Sequence, residues 1–590
     1  MRLMFGARFR FAAAVAAVLL SFSSQTFAAE VYYLGAQPAD SSGAPGSAKA
    51  PAYPHYSLEK RAKDLLDFRA FGDNSKDRSG RIGGSILQEI DANDVVGNKE
   101  KSFLTRGAVY LTEVNLNAYE KLWRDYKFEG QAMIRKTDDP RIELRRDLRL
   151  KQLDLRIDNG TNLLQFGNFY GELSQFTMGS MLEGFNVEAK PHRDVRLKTV
   201  AARRYGPDVV ALRYQRNVFG GKVDFTPFSQ SGPFSLFRIG AQAVTNQDDR
   251  DKEINTNLTT DISNTVFGID GEMVLKKFLS VLYELARSSY TDNVDYRSDR
   301  FDDLHGTAFK VQPGINFWNK ASFKYLHYYV QPDFYTDAGS AQADKIQHQF
   351  SFDLTPIRQF RLSLVENFYW DHMGGSARSY RTYNNEKYIT SYIRPWNSRT
   401  SFYLRPYINF LSRYSEDIGD SLKAKTVTSG FSVNDTIQGM NLGARYEYRG
   451  FLDQSTKSGS DYFHRFGGNL SRDLQLFKRR LYLSTDFNFD TRDSKSMTKD
   501  DVSIGVSANG QYDLHSRATF RFGYNVMNMD SGMPVSGYIN NRTFLELDLL
   551  AHRKRSSHVI SRLERNVFNH DDGSQDYREF RAITKFTSQF

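Results

Sequence analysis

From about Ser102 to Phe590 the side chains alternate between apolar and polar with a period of two. In an extended chain residues i and i+2 share a face. Between Arg517 and Val526, one side collects Ala518, Phe520, Phe522, Tyr524 and Val526. The other collects Arg517, Thr519, Arg521, Gly523 and Asn525. The same pattern runs through Leu481–Asp490, Met440–Arg449 and Gln152–Asp158. The chain is therefore all-β, with strands that carry one apolar and one heavily charged face. The runs extend over about 10–13 residues, longer than the about 5–6 of globular strands and enough for a tilted membrane strand. Tight links are read at Phe219-Gly220-Gly221, Trp318-Asn319, Pro356-Ile357 and Asp513-Leu514. Long polar links are read at Asn246–Asp261, Asp292–Asp303 and Asp490–Asp501. Short and long connections alternate as in a wall threaded up and down, and the segments sum to about 24–26 strands. The fold expected is a single large antiparallel transmembrane β-barrel over residues 101–590, preceded by a short N-terminal segment.

That segment has its own logic. Arg2, Arg8 and Arg10 precede the apolar run Phe11–Leu20, and Thr26-Phe27-Ala28 offers small side chains at a cleavage site. Residues 1–28 read as a secretory signal peptide. The apolar run is too short for a helical span, which takes about 20 residues. Removing its three arginines from the net +10 leaves +7 on the exported chain. This mild excess is not gathered on one arm, which argues against a nucleic-acid partner. Residues 29–100 read as a flexible leader, since QPADSSGAPGSAKAPAYP cannot bury a core. Within it, Leu58, Ala62, Leu65 and Leu66 predict a short helix over 57–71. A loosely ordered tether fits the same residues.

Composition narrows the class. The chain has no cysteine, which excludes disulfides, a lipobox anchor and covalent haem attachment. Mean hydropathy is −0.55, too low for a helical membrane protein but compatible with strands whose alternate residues face water. Aromatic residues make up 14% of the chain, as expected where Tyr and Phe form girdles at two interfaces.

The last strand carries a resemblance. Phe580, Phe586 and Phe590 fall on one phase, with Ala582, Thr584 and Ser588 between them. A terminal Phe on an alternating strand is similar to the Gram-negative outer-membrane β-barrel (porin-like) superfamily. There such a strand is read by the barrel assembly machinery, and Ser588 departs from the usual apolar residue. The resemblance covers the chain from about residue 102 at the level of architecture. It implies residence in the outer membrane, among its lipid and lipopolysaccharide. The stretch Gln165–Lys190 also looks like a strand of some large barrels followed by an insertion folding toward the lumen, with Met178 and Met181 packing against something. An ordinary outer loop is the alternative.

No catalytic constellation is found. The 11 histidines are scattered and form no H-E-x-x-H. Asp371-His372 and His570-Asp571-Asp572 place neighbours on opposite faces of a strand. The acidic run Asp292, Asp295, Asp299, Asp302 and Asp303 lacks calcium-loop spacing and reads as a solvated loop. His552-Arg553-Lys554-Arg555 reads as a solvated turn. No cofactor or metal is implied, and the chain is not expected to be an enzyme. Alternation assigns to the lumen the cations Arg156, Arg445, Arg449, Arg517, Arg521, Arg581 and Lys585. It assigns there the anions Asp154, Asp158, Glu447, Asp486, Asp490 and Glu579. Such charges set pore selectivity or pair across strands as ladders. Three functions fit: a channel for solutes or ions, a sheath around a periplasmic partner such as a multihaem cytochrome, and an export channel for polymer or protein.

Overall fold

The computed structural model describes residues 81–590, except 123–124, 144–146, 206–213, 230–233, 255–261, 277, 293–303, 318–319, 372–380, 417–421, 455–459, 495–499, 532–536, 572 and 574. The expected signal peptide, most of the leader and its helix therefore lie outside the described residues, as does most of the acidic run 292–303.

The first strands are β1 (Arg81–Gly97), β2 (Gly107–Lys121), β3 (Lys127–Thr137), β4 (Arg149–Asp158), β5 (Leu163–Ser174), β6 (Met178–His192), β7 (Val195–Arg204) and β8 (Tyr214–Ser229). Next come β9 (Phe234–Glu253), β10 (Ile262–Leu275), β11 (Leu279–Asp292), β12 (Leu304–Phe317), β13 (Ala321–Val330), β14 (Lys345–Ile357), β15 (Phe360–Asp371), β16 (Arg381–Ile393) and β17 (Tyr403–Glu416). The circuit finishes with β18 (Leu422–Ile437), β19 (Met440–Asp453), β20 (Asp461–Leu476), β21 (Arg479–Ser494), β22 (Asp501–His515), β23 (Ala518–Asp530), β24 (Tyr538–His552), β25 (Ser557–His570) and β26 (Tyr577–Gln589). All 26 form one sheet. Each pairs antiparallel with the next, and β1 pairs with β26, Glu89 opposite Lys585 and Asn93 opposite Arg581. The sheet has no free edge. For an ideal round barrel, 26 strands at the usual spacing of about 4.8 Å and tilt of about 40° correspond to a diameter of about 50 Å between backbones.

Strand β1 brings residues 81–97 into the wall, so the boundary read at 101 is corrected for that stretch. In β1 the alternation is blunted: Gln88 pairs with Phe586 on one face, while Leu87 pairs with Glu113 on the other. Phe219-Gly220-Gly221 is not a turn. It lies inside β8, paired with β7 and β9. The links read at Pro356-Ile357 and Asp513-Leu514 are strand ends. Register shifts there break the alternation, and the chain turns at Arg358-Gln359 and Ser516-Arg517. β9 and β21 also run on into the links read at 246–261 and 490–501. Trp318-Asn319 lies outside the described residues.

The links sort the barrel into two rims. Links from even to odd strands are short, as at Arg193-Asp194, Gln438-Gly439 and Phe477-Lys478. Links from odd to even strands are mostly long, as at 98–106, 138–148 and 331–344. Two links reverse the rule: 175–177 is short on the long-link rim, and 394–402 is long on the short-link rim. The start of β1 and the end of β26 both lie on the short-link rim.

The two faces are chemically distinct. Phe219, Phe267, Phe350, Phe410, Phe431, Phe466, Phe487, Leu545, Leu563 and Phe580 are all exposed and share the outward phase of the register. So many bare rings would be untenable in water and suit a lipid-facing belt. Rings bunch near the short-link rim (Phe228, Phe234, Phe237) and near the other (Tyr383 with Tyr414).

Candidate functional site: the inner face of the barrel

The inner face is identified by what packs on it. Phe176, at the tip between β5 and β6, is fully buried among Val266, Ala286, Ala308, Tyr328, Val330 and Phe334. These come from β10 to β13 and from the link 331–344. One tip reaches four consecutive distant strands only across a concave surface. Every residue in register with that set therefore points inward.

Among the described residues, three segments are packed on this face. The first is the tip 175–177. Phe176 N–H donates to Glu284 Oε1 (2.8 Å) and Lys310 Nζ donates to Gln175 Oε1 (2.8 Å). Below it, Met178, Leu182, Leu173, Phe169, Val200, Val218 and Val244 form a dry cluster with Ala338. Gly220 explains the misread turn: a Cβ there would meet Met178 Cε at 2.5 Å. The second segment is the link 331–344. Ser340 N–H donates to Gln175 O (2.9 Å), Gly179 N–H to Ala338 O (2.7 Å) and Tyr335 N–H to Ser288 Oγ (3.0 Å). A Cβ on Gly306 would sit 2.1 Å from Phe334 N, so the wall is stripped to backbone where this link crosses it. The third segment is 138–143. Its Asp139 accepts from Arg141 (2.6 Å) and Thr105 (2.9 Å). Glu143 is buried against Lys151 (2.8 Å). Burial pushes the Asp139 carboxyl up, but the bonds from Arg141 and Thr105 outweigh it and hold the group below its usual range.

Under these segments lies an ionic lattice that alternation did not single out. Arg216 pairs with Asp248 and with Asp337, both at 2.6 Å. Lys222 pairs with Asp270 (2.7 Å), and Arg238 bridges Asp224 (2.8 Å) and Asp270 (3.0 Å). Arg216, Lys222, Asp248, Asp270 and Glu284 are buried. Buried charges of this kind persist where each finds opposite charge and hydrogen bonds. The alternation of Arg216, Lys222 and Asp224 was present in the sequence. The glycine pair between them obscured it.

The charges named from sequence fall mostly on the other arc. Asp154, Arg156, Asp158, Arg445, Glu447, Arg449, Asp486, Asp490, Arg521, Glu579, Arg581 and Lys585 share the inward phase. Arg517 does not: it sits in the turn between β22 and β23 on the short-link rim, because β23 begins one residue later than its pattern suggests. Most inward charges are paired. Arg581 grips Asp91 (2.6 Å) and Lys585 meets Glu89 (2.7 Å) across the β1–β26 seam. Arg521 meets Glu546 (2.6 Å), Asp490 meets Arg465 (2.9 Å) and Arg156 meets Asp158 (2.8 Å). Glu447 accepts from the Tyr407 hydroxyl, Arg445 donates to Asn488 (2.8 Å) and Glu579 accepts from Ser102 (2.6 Å). Asp154 accepts from Gln165 (2.9 Å) and Asp486 from Ser507 (3.3 Å). Arg449 lines a shallow recess with Asn409, Leu411, Thr426, Thr428 and Glu447.

No protein-family model matches the sequence. No curated protein matches it either. Solved structures are similar in outline. The translocation pore of the P pilus usher PapC is 7% identical, with a TM-score of 0.34 over 86% of this chain and 99% of that one. The siderophore receptor PirA of Pseudomonas aeruginosa is 10% identical, with a TM-score of 0.38 over 86% of this chain and 80% of that one. OccD3 (OpdP) of the same organism is 11% identical, with a TM-score of 0.28 over 92% of this chain and all 100% of that one. The barrel assignment rests instead on the closed strand pairing.

Within the described residues no three His, Cys, Asp or Glu side chains converge as a metal site. The segment Gln165–Lys190 is a β5–β6 hairpin whose tip turns into the lumen. Met178 packs inward at its base, while Met181 faces out and is exposed.

Proposed function

We propose that the chain is an outer-membrane channel. The observation that carries this is the closed wall, apolar outside and charged inside. Water and ions have a continuous polar surface to follow along β14–β26, where none of the three inward segments packs. Because the inward face carries both signs and many of its charges already face an opposite one, selectivity between anions and cations is weak. Single-channel recording of purified protein in a planar bilayer tests this. Steady ohmic steps with a reversal potential near zero in a salt gradient are expected. Silence from protein whose heat-modifiable gel migration shows it folded overturns the open channel.

A sheath is the second reading, and the width favours it. A free aqueous hole of this bore would abolish the barrier the membrane provides. The inward segments clothe β1–β13 and leave the opposite arc to a passenger entering from the periplasm. If electrons cross, the haem belongs to that passenger, since this chain has no cysteine to attach one. Silence alone, followed by co-purification of a periplasmic protein, supports this reading.

A further inference from the structure

The outward face of β13–β17 carries an acid and a base side by side, whereas the outward Arg287 and Arg565 lie opposite the rings of Phe267 and Phe580. Glu366 on β15 and Lys387 on β16 are directly opposed across the two strands and form an ion pair at 2.8 Å. Both have the outward phase: on their strands Glu366 lies between the outward Leu364 and Phe368, and Lys387 lies between Asn385 and the outward Ile389. This places the pair inside the apolar belt. Among the described residues, other pairs on the outward phase lie toward the rims: Glu183–Arg203 near the ends of β6 and β7 at the long-link rim, and Asp435 with Arg399 at the short-link rim. Beside Lys387, Asn385 faces outward opposite Ser412, and its Oδ1 has no partner among the described residues. On β13 and β14, next to β15, His327 and His348 are opposed on the same outward phase, ring nitrogens 3.4 Å apart.

Ionised and amide groups facing hydrocarbon are costly and are retained where another protein covers them. We infer that this face is the two-fold interface of a homodimer. The choice of a second copy follows from the charge pattern. One acid and one base stand side by side on neighbouring strands. A two-fold axis along the membrane normal, passing between them, sets each Glu366 against the partner's Lys387 and each Lys387 against the partner's Glu366. Such an isologous contact is self-complementary. The flanking Phe350, Phe368, Trp370 and Phe410 supply the large rings that anchor interfaces.

The test uses full-length protein extracted in mild detergent, with mass read by sedimentation and folding by gel migration. The wild type is expected to run as a dimer. E366K faces lysine with lysine and runs as a monomer; E366K/K387E restores the dimer. E366L/K387L stays folded and runs as a monomer. Because the chain has no native cysteine, N385C gives an independent readout, a disulfide-linked pair on oxidation in intact cells. A monomeric wild type with no N385C cross-link overturns the inference. So does a dimer that survives both E366K and E366L/K387L.

Discussion

Gly306 and Gly220 mark where the inward segments press hardest on the wall. At Gly306 an added Cβ runs into the backbone of Phe334, so Gly306→Ala must lift the link 331–344. Overpacking of this kind costs about 1–3 kcal/mol. It is expected to lower the temperature of the gel-migration shift and raise conductance. Met178→Ala opens a cavity in a cluster where Met178 is fully buried, at about 2–5 kcal/mol, and lowers the same temperature. Asp139 gives a pH signature. Its folded carboxyl is held below the ordinary value of about 3.9. The stability it adds is therefore present above that value and lost as pH falls through the lower folded one. Amide exchange over 138–143, corrected for intrinsic rates, is expected to rise below about pH 4 in the wild type and to lose that step in Asp139→Asn. At this scale the sequence was readable where alternation ran unbroken, as at Arg445, Glu447 and Arg449. It misled where a residue answered to packing: Gly220 makes room for Met178, and nothing beside it in the chain says so.

The strands were legible and the inward segments were not, for a physical reason. A strand declares itself through period two, a local property. The link QPDFYTDAGSAQAD carries no periodic pattern, yet Phe334 is 1% exposed because Phe176, far away in sequence, comes to meet it. Likewise β1 mixes Leu87 and Gln88 on unexpected faces and shows itself only once β2 and β26 are in place. Replacing 331–344 by a short Gly-Ser turn is expected to widen the conductance step while the barrel still shows its gel shift. Unchanged conductance would mean the link does not bound the permeant path. The last strand makes a separate prediction. Phe590 exchanges two backbone bonds with Gly84, N–H to O at 3.0 Å and O to N–H at 2.9 Å, while Phe580 and Phe586 point outward. Deleting Phe590 is expected to lower the yield of assembled barrel, read as the fraction migrating in folded form. An unchanged yield removes this residue from the assembly address.

For the whole molecule, the two rims set an orientation. Short turns belong on the periplasmic side of outer-membrane barrels and long loops outside, so the start of β1 and the end of β26 are expected to face the periplasm. With no native cysteine, Gln575→Cys on the long-link rim is expected to react with a membrane-impermeant maleimide on intact cells. Ser516→Cys on the short-link rim reacts only after lysis. The reverse pattern would invert the barrel. The seam between β1 and β26 has a further consequence in time. Asp91 waits for Arg581 across almost the entire chain, and pairing at such separations is slow. Until it forms, the growing sheet carries two open edges, templates for pairing with any other strand. A ribosome that stalls one hairpin early therefore releases a sheet that can never close. β26 acts as the closing stitch, and only a chain that carries it can satisfy the open edge of β1.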